Sequence, residues 1–264
     1  MTLPHPIVRQ TTLASPSPIL NRLFEMMFDP ATSLNDLAQT LSTDAALSAR
    51  ALAAANAAFS YPEHRIDNVH DAVVRIGLIP IINIITASEI KAVFLSVPGK
   101  HGDMKQLWTH NLVTACIADA YAHHLGLEKP ARWFTGGLLH DIGRLLLLAH
   151  DPVKYSEVVS ATVSGREVIC EAERQAYGIS HQELGHQLMT QWRFPEAIAD
   201  AAFHHQQPFV SYDDFRSGIC IANDLANALD SALPLPHFEA FSVERIIAEA
   251  SVKYEMMKKV SGFA

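Results

Sequence analysis

Cysteine is scarce and scattered: Cys116, Cys170 and Cys220 are the only three in 264 residues. An odd, widely spaced set in apolar, helical surroundings excludes a disulfide scaffold. It reads as reduced core thiols of a cytosolic protein rather than as metal ligands. Charge is sparse too, at 18% of residues against 49% hydrophobic, so a sizeable core is available and wholesale disorder is excluded. The formal net charge is -8 and Lys and Arg form no block, which argues against nucleic acid held through its phosphates. Residues 1–12 lack the basic start and apolar stretch of a secretory signal. The longest apolar run, 76–87, contains Gly77, Pro80 and Asn83 and is too short to span a bilayer. No strand pattern of useful length, internal repeat or low-complexity tract occurs. These absences predict a soluble, cytoplasmic, all-α protein.

What is present is helical punctuation. Ser15-Pro16-Ser17-Pro18 precedes a pattern with Ile19, Leu20, Leu23 and Met26-Met27 on one side. Ser33, with Asp36 three positions on, caps a helix carrying Leu34, Leu37, Ala38 and Leu41. Asp44 starts an Ala-rich helix through Phe59, whose small side chains let neighbouring helices approach closely. Asp67 or Asn68 caps a short helix ending at Gly77, and Pro80 suits the opening of the next. The Pro/Gly-rich stretch 97–103 marks a sub-domain boundary. Helices are predicted beyond it near 104–125, 130–149, 152–162, 165–177 and 180–192, from Pro195 to His205, over 214–230 and over 242–260. The expected organisation is an N-terminal extension (1–14), an N-terminal helical half (15–97), a second helical half (103–230) and a C-terminal link and helix (231–264).

The second half holds the chemistry. His110, the pair His140-Asp141, His181, the pair His204-His205 and Asp224 occur in an order that suits a metal centre built from several helices. The middle pair lies in the apolar stretch 136–144, where bare imidazole and carboxylate are costly without partners. On one helix, neighbours point about 100° apart, so each pair can reach one side of a cleft. Adjacent pairs also arise by chance among 14 histidines, and His123-His124 near a helix end is such a case. His181 and His186, five apart, do not form the two-His helical zinc motif, whose members are four apart. His140 alone could be a satisfied core histidine and Asp224 a surface carboxylate; it is the ordered whole that points to metal.

That order resembles the HD superfamily of metal-dependent phosphohydrolases, and in particular the branch that includes the HD-GYP cyclic-dinucleotide phosphodiesterases. The rest of the chain is similar to the HDOD (HD-related output) domain. Residues 16–95 carry the likeness through Asp44-Ala45-Ala46-Leu47, the helix ending Ala55-Asn56-Ala57-Ala58-Phe59, and Ala72-Val73-Val74-Arg75-Ile76-Gly77. The second half adds Leu107-Trp108-Thr109-His110, residues 136–144, Glu173, Tyr177-Gly178-Ile179-Ser180-His181, Trp192-Arg193-Phe194-Pro195-Glu196 and His204-His205. The resemblance implies an HD-like helical bundle behind an N-terminal helical sub-domain. It implies one ion held by His110, His140, Asp141 and Asp224, and a second held by His181, His204 and His205, with Asp141 bridging. Iron, manganese and zinc all suit such donors. The chain departs from the enzymes after His204-His205, where Gln206-Gln207-Pro208-Phe209 stands in place of Glu and the Gly-Tyr-Pro loop. Arg144 stands where those enzymes have Lys, and Gln106 adds no carboxylate for a third ion.

Three functions follow as expectations. The first is a stand-alone bacterial signalling module that binds partner proteins or a small phosphorylated ligand, with its metal set structural or vestigial. The second is a phosphohydrolase in which Asp141 organises the ions and Arg144 steadies a phosphate oxygen. The third is a redox or gas sensor built on an iron pair. An open cleft with Arg144 aimed into it favours the enzyme, and a cleft plugged by Phe209 or Tyr212 favours the module.

Overall fold

Short polar side chains start the helices and glycine stops one of them. A computed structural model describes residues 4–11, 13–29, 31–58, 65–97, 101–127, 130–162, 166–207, 209–238 and 240–261, and no strand occurs among them. After α1 (Pro6–Gln10), Ser17 caps α2 (Pro18–Phe28), and Ser33 with Asp36 forms a reciprocal capping box on α3 (Leu34–Ser42). Asp44 accepts from Ala46 N and Leu47 N to open α4 (Ala45–Ala58); Phe59, expected to end that helix, lies outside the described residues. Asn68, not Asp67, caps α5 (Val69–Ile76). Gly77 stops it at φ +84°, a left-handed conformation that glycine adopts without a Cβ penalty. Then come α6 (Leu78–Ser96), α7 (His101–His124), α8 (Pro130–Leu139), α9 (Ile142–His150), α10 (Pro152–Ala161) and α11 (Arg166–Tyr177). The order closes with α12 (His181–Gln191), α13 (Glu196–His204), α14 (Phe215–Asp230) and α15 (Val243–Ser261).

Three expectations change. The stretch 130–149 is two helices, broken at His140-Asp141. The apolar run at 76–87 is split by Gly77, and residues 78–87 open α6, 19 residues with mean hydropathy 1.7, which is long and apolar enough to cross a membrane. In this fold it is a core helix: Ile81, Ile82, Ile85, Ala87 and Ile90 are fully buried, and it packs on α4, α5, α7, α8 and α15. A helix apolar all round is what such a central position requires. Lastly, the described part of the N-terminal extension is docked. In α1, Ile7 and Val8 are buried and rest on α9 and α12, and His5 N donates to Gln187 Oε1 at 2.7 Å.

One continuous hydrophobic cluster runs from Ile7 to Met257, so both halves and the tail helix share a core. Within it α7 is the axis for α8, α14 and α15, while α9 lies against α12 and α12 against α13. The α9–α12 approach is backbone on backbone: a Cβ on Gly143 would stand 1.8 Å from the His181 carbonyl oxygen and 2.7 Å from Gly185 N. Gly143→Ala should therefore wedge these helices apart and cost about 3 kcal/mol, read as a lowered urea midpoint. An unchanged midpoint would show that the two helices can separate freely.

Candidate metal centre

Two helix ends and one helix start deliver the inward histidines. His140 closes α8 and His205 follows α13, and each turns its ring back on its own helix. His140 Nδ1 lies 2.7 Å from the Gly137 carbonyl and His205 Nδ1 lies 2.6 Å from that of Ala202. A carbonyl only accepts, so Nδ1 carries the proton and Nε2 keeps its lone pair. This back-bonding at Gly137 also explains the break at His140-Asp141, since that carbonyl serves a side chain where the helical ladder would continue. His181 opens α12 behind the Ser180–Glu183 capping box. Its Nδ1 and its backbone N–H both meet Glu173 Oε2, at 2.6 and 2.8 Å. Hydrogen-bonding the outer ring nitrogen to fix the inner one is how metal-ligating histidines are held.

The inner atoms converge on Asp141. Its Oδ1 is 3.3 Å from His181 Nε2 and 3.3 Å from His205 Nε2, and those two nitrogens are 3.5 Å apart. A tetrahedral ion with bonds of about 2.1 Å has ligand–ligand edges of about 3.4 Å. On the other side, His140 Nε2 lies 3.6 Å from Asp141 Oδ2 and, though buried, has no hydrogen-bond partner among the described residues. The His110 ring sits 5.3 Å from that of His140. Two donor sets result, His110–His140–Asp141 and Asp141–His181–His205, each within 4.8 Å and sharing Asp141. The edge lengths of the Asp141–His181–His205 set and the orphaned His140 nitrogen fit a divalent ion, and His110 would join by giving up its contact to Asn223 or Asp230.

Behind these atoms a closed ring of polar contacts sets the charges. Arg144 Nη1 donates to Asp141 Oδ2 at 3.0 Å and Arg144 Nε donates to the Tyr155 hydroxyl at 3.0 Å. Tyr155 donates to Glu173 Oε1 at 2.8 Å, and Glu173 holds His181, which returns to Asp141. Burial pushes the Asp141 carboxyl up, but Arg144, helped by the protonated His181, outweighs it and holds it well below the usual range. Burial likewise opposes ionisation of Glu173 and His181, yet each holds the other charged, Glu173 below and His181 well above its ordinary value. Burial lowers His140 to about 3 and lowers His205, so both imidazoles stay neutral at pH 7. A metal at His181 Nε2 would take the place of a proton.

The structure thus brings together His110, His140, Asp141, His181 and His205, with Arg144 beside them. It does not bring His204 or Asp224 into either set. His204 lies one step round α13 and packs edge-on against Phe203, 4.7 Å between centroids. On α14, Asn223, Asn227 and Asp230 share the inward face; Asn223 Oδ1 is 3.0 Å from His110 Nε2 and Asp230 Oδ2 is 2.9 Å from His110 Nδ1. Asp224 is about 100° round from that face. Sequence reasoning gave no role to Tyr155, Asn223 or Asp230. The signal for Asn223, Asn227 and Asp230 was their i, i+4 and i+7 spacing on α14; Tyr155, on α10, carried none. A cleft of about 390 Å³ opens beside the centre, with His110, Arg144, Tyr155, Asn227 and Asp230 in its wall. Neither Phe209 nor Tyr212 lines it.

Glu173→Gln should weaken divalent-ion binding about 10- to 100-fold, as expected for loss of a partner that orients a ligand. His204→Ala should leave it unchanged. Competition against a chromophoric chelator measures both, and equal losses in the two variants would contradict this geometry.

The family model for the HDOD domain matches residues 13–208. Among solved structures, a candidate phosphohydrolase from Shewanella amazonensis SB2B is 23% identical with a TM-score of 0.69, covering 97% of this chain and 98% of its own. An HDOD domain protein of unknown function from Geobacter sulfurreducens is 24% identical with a TM-score of 0.67, covering 98% and 88%. A candidate signal transduction protein from Marinobacter aquaeolei VT8 reaches a TM-score of 0.72 at 18% identity, covering 99% and 62%. An uncharacterized protein of Treponema pallidum (strain Nichols) is 26% identical over 213 residues, 78% of this chain; the match spans only 40% of that relative's length. With its all-α fold, its His/Asp centre and a family match over most of its length, the chain belongs to the HDOD domain family.

Proposed function

We propose that the chain is an intracellular regulatory module that holds one or two divalent ions in a buried centre and reads a small ligand in the adjacent cleft. The observation that carries this reading is the separation of the two. His140, Asp141, His181 and His205 are at most 3% exposed and none of them lines the cleft, which reaches the centre through His110, Arg144 and Tyr155. A ligand entering there meets the guanidinium that supports Asp141. An anion that draws Arg144 away loosens Asp141 directly and His181 through Tyr155 and Glu173, so occupancy of the cleft changes the centre. A planar guanidinium suits a phosphorylated ligand, and signalling proteins are the partners such a module would address.

A second reading, a phosphohydrolase acting on a phosphodiester, is favoured by the open cleft with Arg144 in its wall. Lewis acidity and a lowered pKa of bound water are what a divalent ion would supply. Arg144 would hold a phosphate oxygen, and the Glu173–His181 pair would keep the inner nitrogen oriented.

Plasma mass spectrometry on tag-free protein, beside Asp141→Ala, tests the shared premise. One or two equivalents of iron, manganese or zinc are expected, lost in the variant; no metal in either protein after reconstitution would overturn it. Bis(p-nitrophenyl) phosphate then separates the readings. The module should show no turnover above a metal-only blank, whereas turnover abolished by both Asp141→Ala and Arg144→Ala would establish the hydrolase.

A further inference from the structure

An uncharged polar side chain lies beside the His181 corner of the Asp141–His181–His205 set. Gln206 follows His205 directly, and its carboxamide sits between His181 and Cys170. Its Nε2 is 3.3 Å from His181 Nε2 and its Oε1 is 3.2 Å from Cys170 Sγ. The same thiol lies 3.4 Å from Gln182 Oε1. One S–H proton cannot serve two amide oxygens. Turning the Gln206 amide by 180° about its last torsion exchanges two atoms of nearly equal size and resolves the conflict. The amide N–H then donates to the sulfur, the thiol donates to Gln182, and Oε1 faces His181 Nε2 at the place the nitrogen held. The resulting 3.3 Å separation matches the 3.3, 3.3 and 3.5 Å edges of the donor triangle.

We propose that Gln206 is the fourth donor of this set, offering a neutral amide oxygen to the ion and closing that half of the centre. The inference rests on the metal reading proposed above and gives the two halves different roles. A closed four-donor set is the pattern of structural sites, while catalytic sites keep an open position. The His110–His140–Asp141 half keeps its side toward the cleft through His110. Ligands arriving in the cleft therefore meet only that half, and the Gln206 half serves to fix Asp141. Gln206 also contributes no charge, so the set holds a divalent ion with a single carboxylate.

Cobalt(II) titration tests this, because four-coordinate cobalt absorbs visible light intensely and six-coordinate cobalt weakly. All variants carry His110→Ala, which breaks the cleft-side set and leaves one ion to read. In that background the parent should give an intense band at one equivalent. Gln206→Leu should bind about tenfold or more weakly with an altered band. Gln206→Glu keeps the oxygen and adds a charge, and should bind more tightly than the parent with the intense band kept. A Gln206→Leu affinity within twofold of the parent with an identical band, or no tightening in Gln206→Glu, would overturn the proposal while leaving the centre intact. Binding unchanged by a further Asp141→Ala would instead overturn the metal reading itself.

Discussion

A carboxylate kept ionised beneath the surface is the constraint on which this structure turns. Asp141 is 3% exposed, and an isolated buried carboxylate would take up a proton rather than remain charged. Here it stays charged because Arg144 stands 3.0 Å away and the protonated His181 lies 3.3 Å from its Oδ1, with the neutral His140 and His205 packed beside it. The groups around it need partners of their own: Tyr155 for Arg144, Glu173 for His181, and helix-end carbonyls for His140 and His205. The need for partners spreads outward until it reaches α10 and α11, which carry little of the hydrophobic core. Their place in the fold is electrostatic. Tyr155 and Glu173 are both buried, and together they connect the cleft wall to the far side of the centre.

The same constraint accounts for the backbone. His140 and His205 act twice, as helix terminators through Nδ1 and as inward donors through Nε2. Glycine at 143 lets α9 run against the His181 carbonyl, which brings the start of α12 within reach of Asp141. With a side chain at that crossing, His181 could not stand 3.3 Å from Asp141 Oδ1. Helix packing and donor geometry are here one requirement. The docking of α1 across α9 and α12 reinforces the same crossing from outside.

Much of this was legible in the sequence, for identifiable reasons. The cap at Ser33 and the stop at Gly77 are local events written in short polar residues and glycine, and they read correctly, while the cap at Asn68 was one of the two candidates at 67–68. His140-Asp141, His181 and His205 each sit at a helix end, where small errors in helix phase do not accumulate, while His110 meets the centre from the middle of α7. Two features were not legible. The break after Leu139 depends on an imidazole capturing its own helix carbonyl, a competition that helix periodicity does not register. On α14 the opposite failure occurs. Asp224 lies in mid-helix, where a one-residue difference swings a side chain by about 100°, so the acidic residue named by resemblance and the amide at Asn223 exchange places relative to His110. Charge type attracted attention to Asp224; helix phase decided for Asn223.

That exchange bears on what the centre can do. With Asn223 and Gln206 at its margins and neither His204 nor Asp224 within the donor sets, the carboxylates near the donor atoms are Asp141 in the centre, Glu173 behind His181 and Asp230 behind His110. Among the described residues Asp141 is the carboxylate common to the two sets, and Glu173 groups with Cys170 and His181 behind it. Two dications at the Asp141 sets would therefore share one carboxylate, and the first ion bound disfavours the second. Arg144 adds a further positive charge at the same oxygen pair. On the reading proposed above, one ion with Asp141 shared between two sets of imidazoles leaves the least uncompensated charge, and moving Arg144 toward a ligand would make room for another. On that reading the position of an arginine at the cleft links ligand binding to the occupancy of the centre.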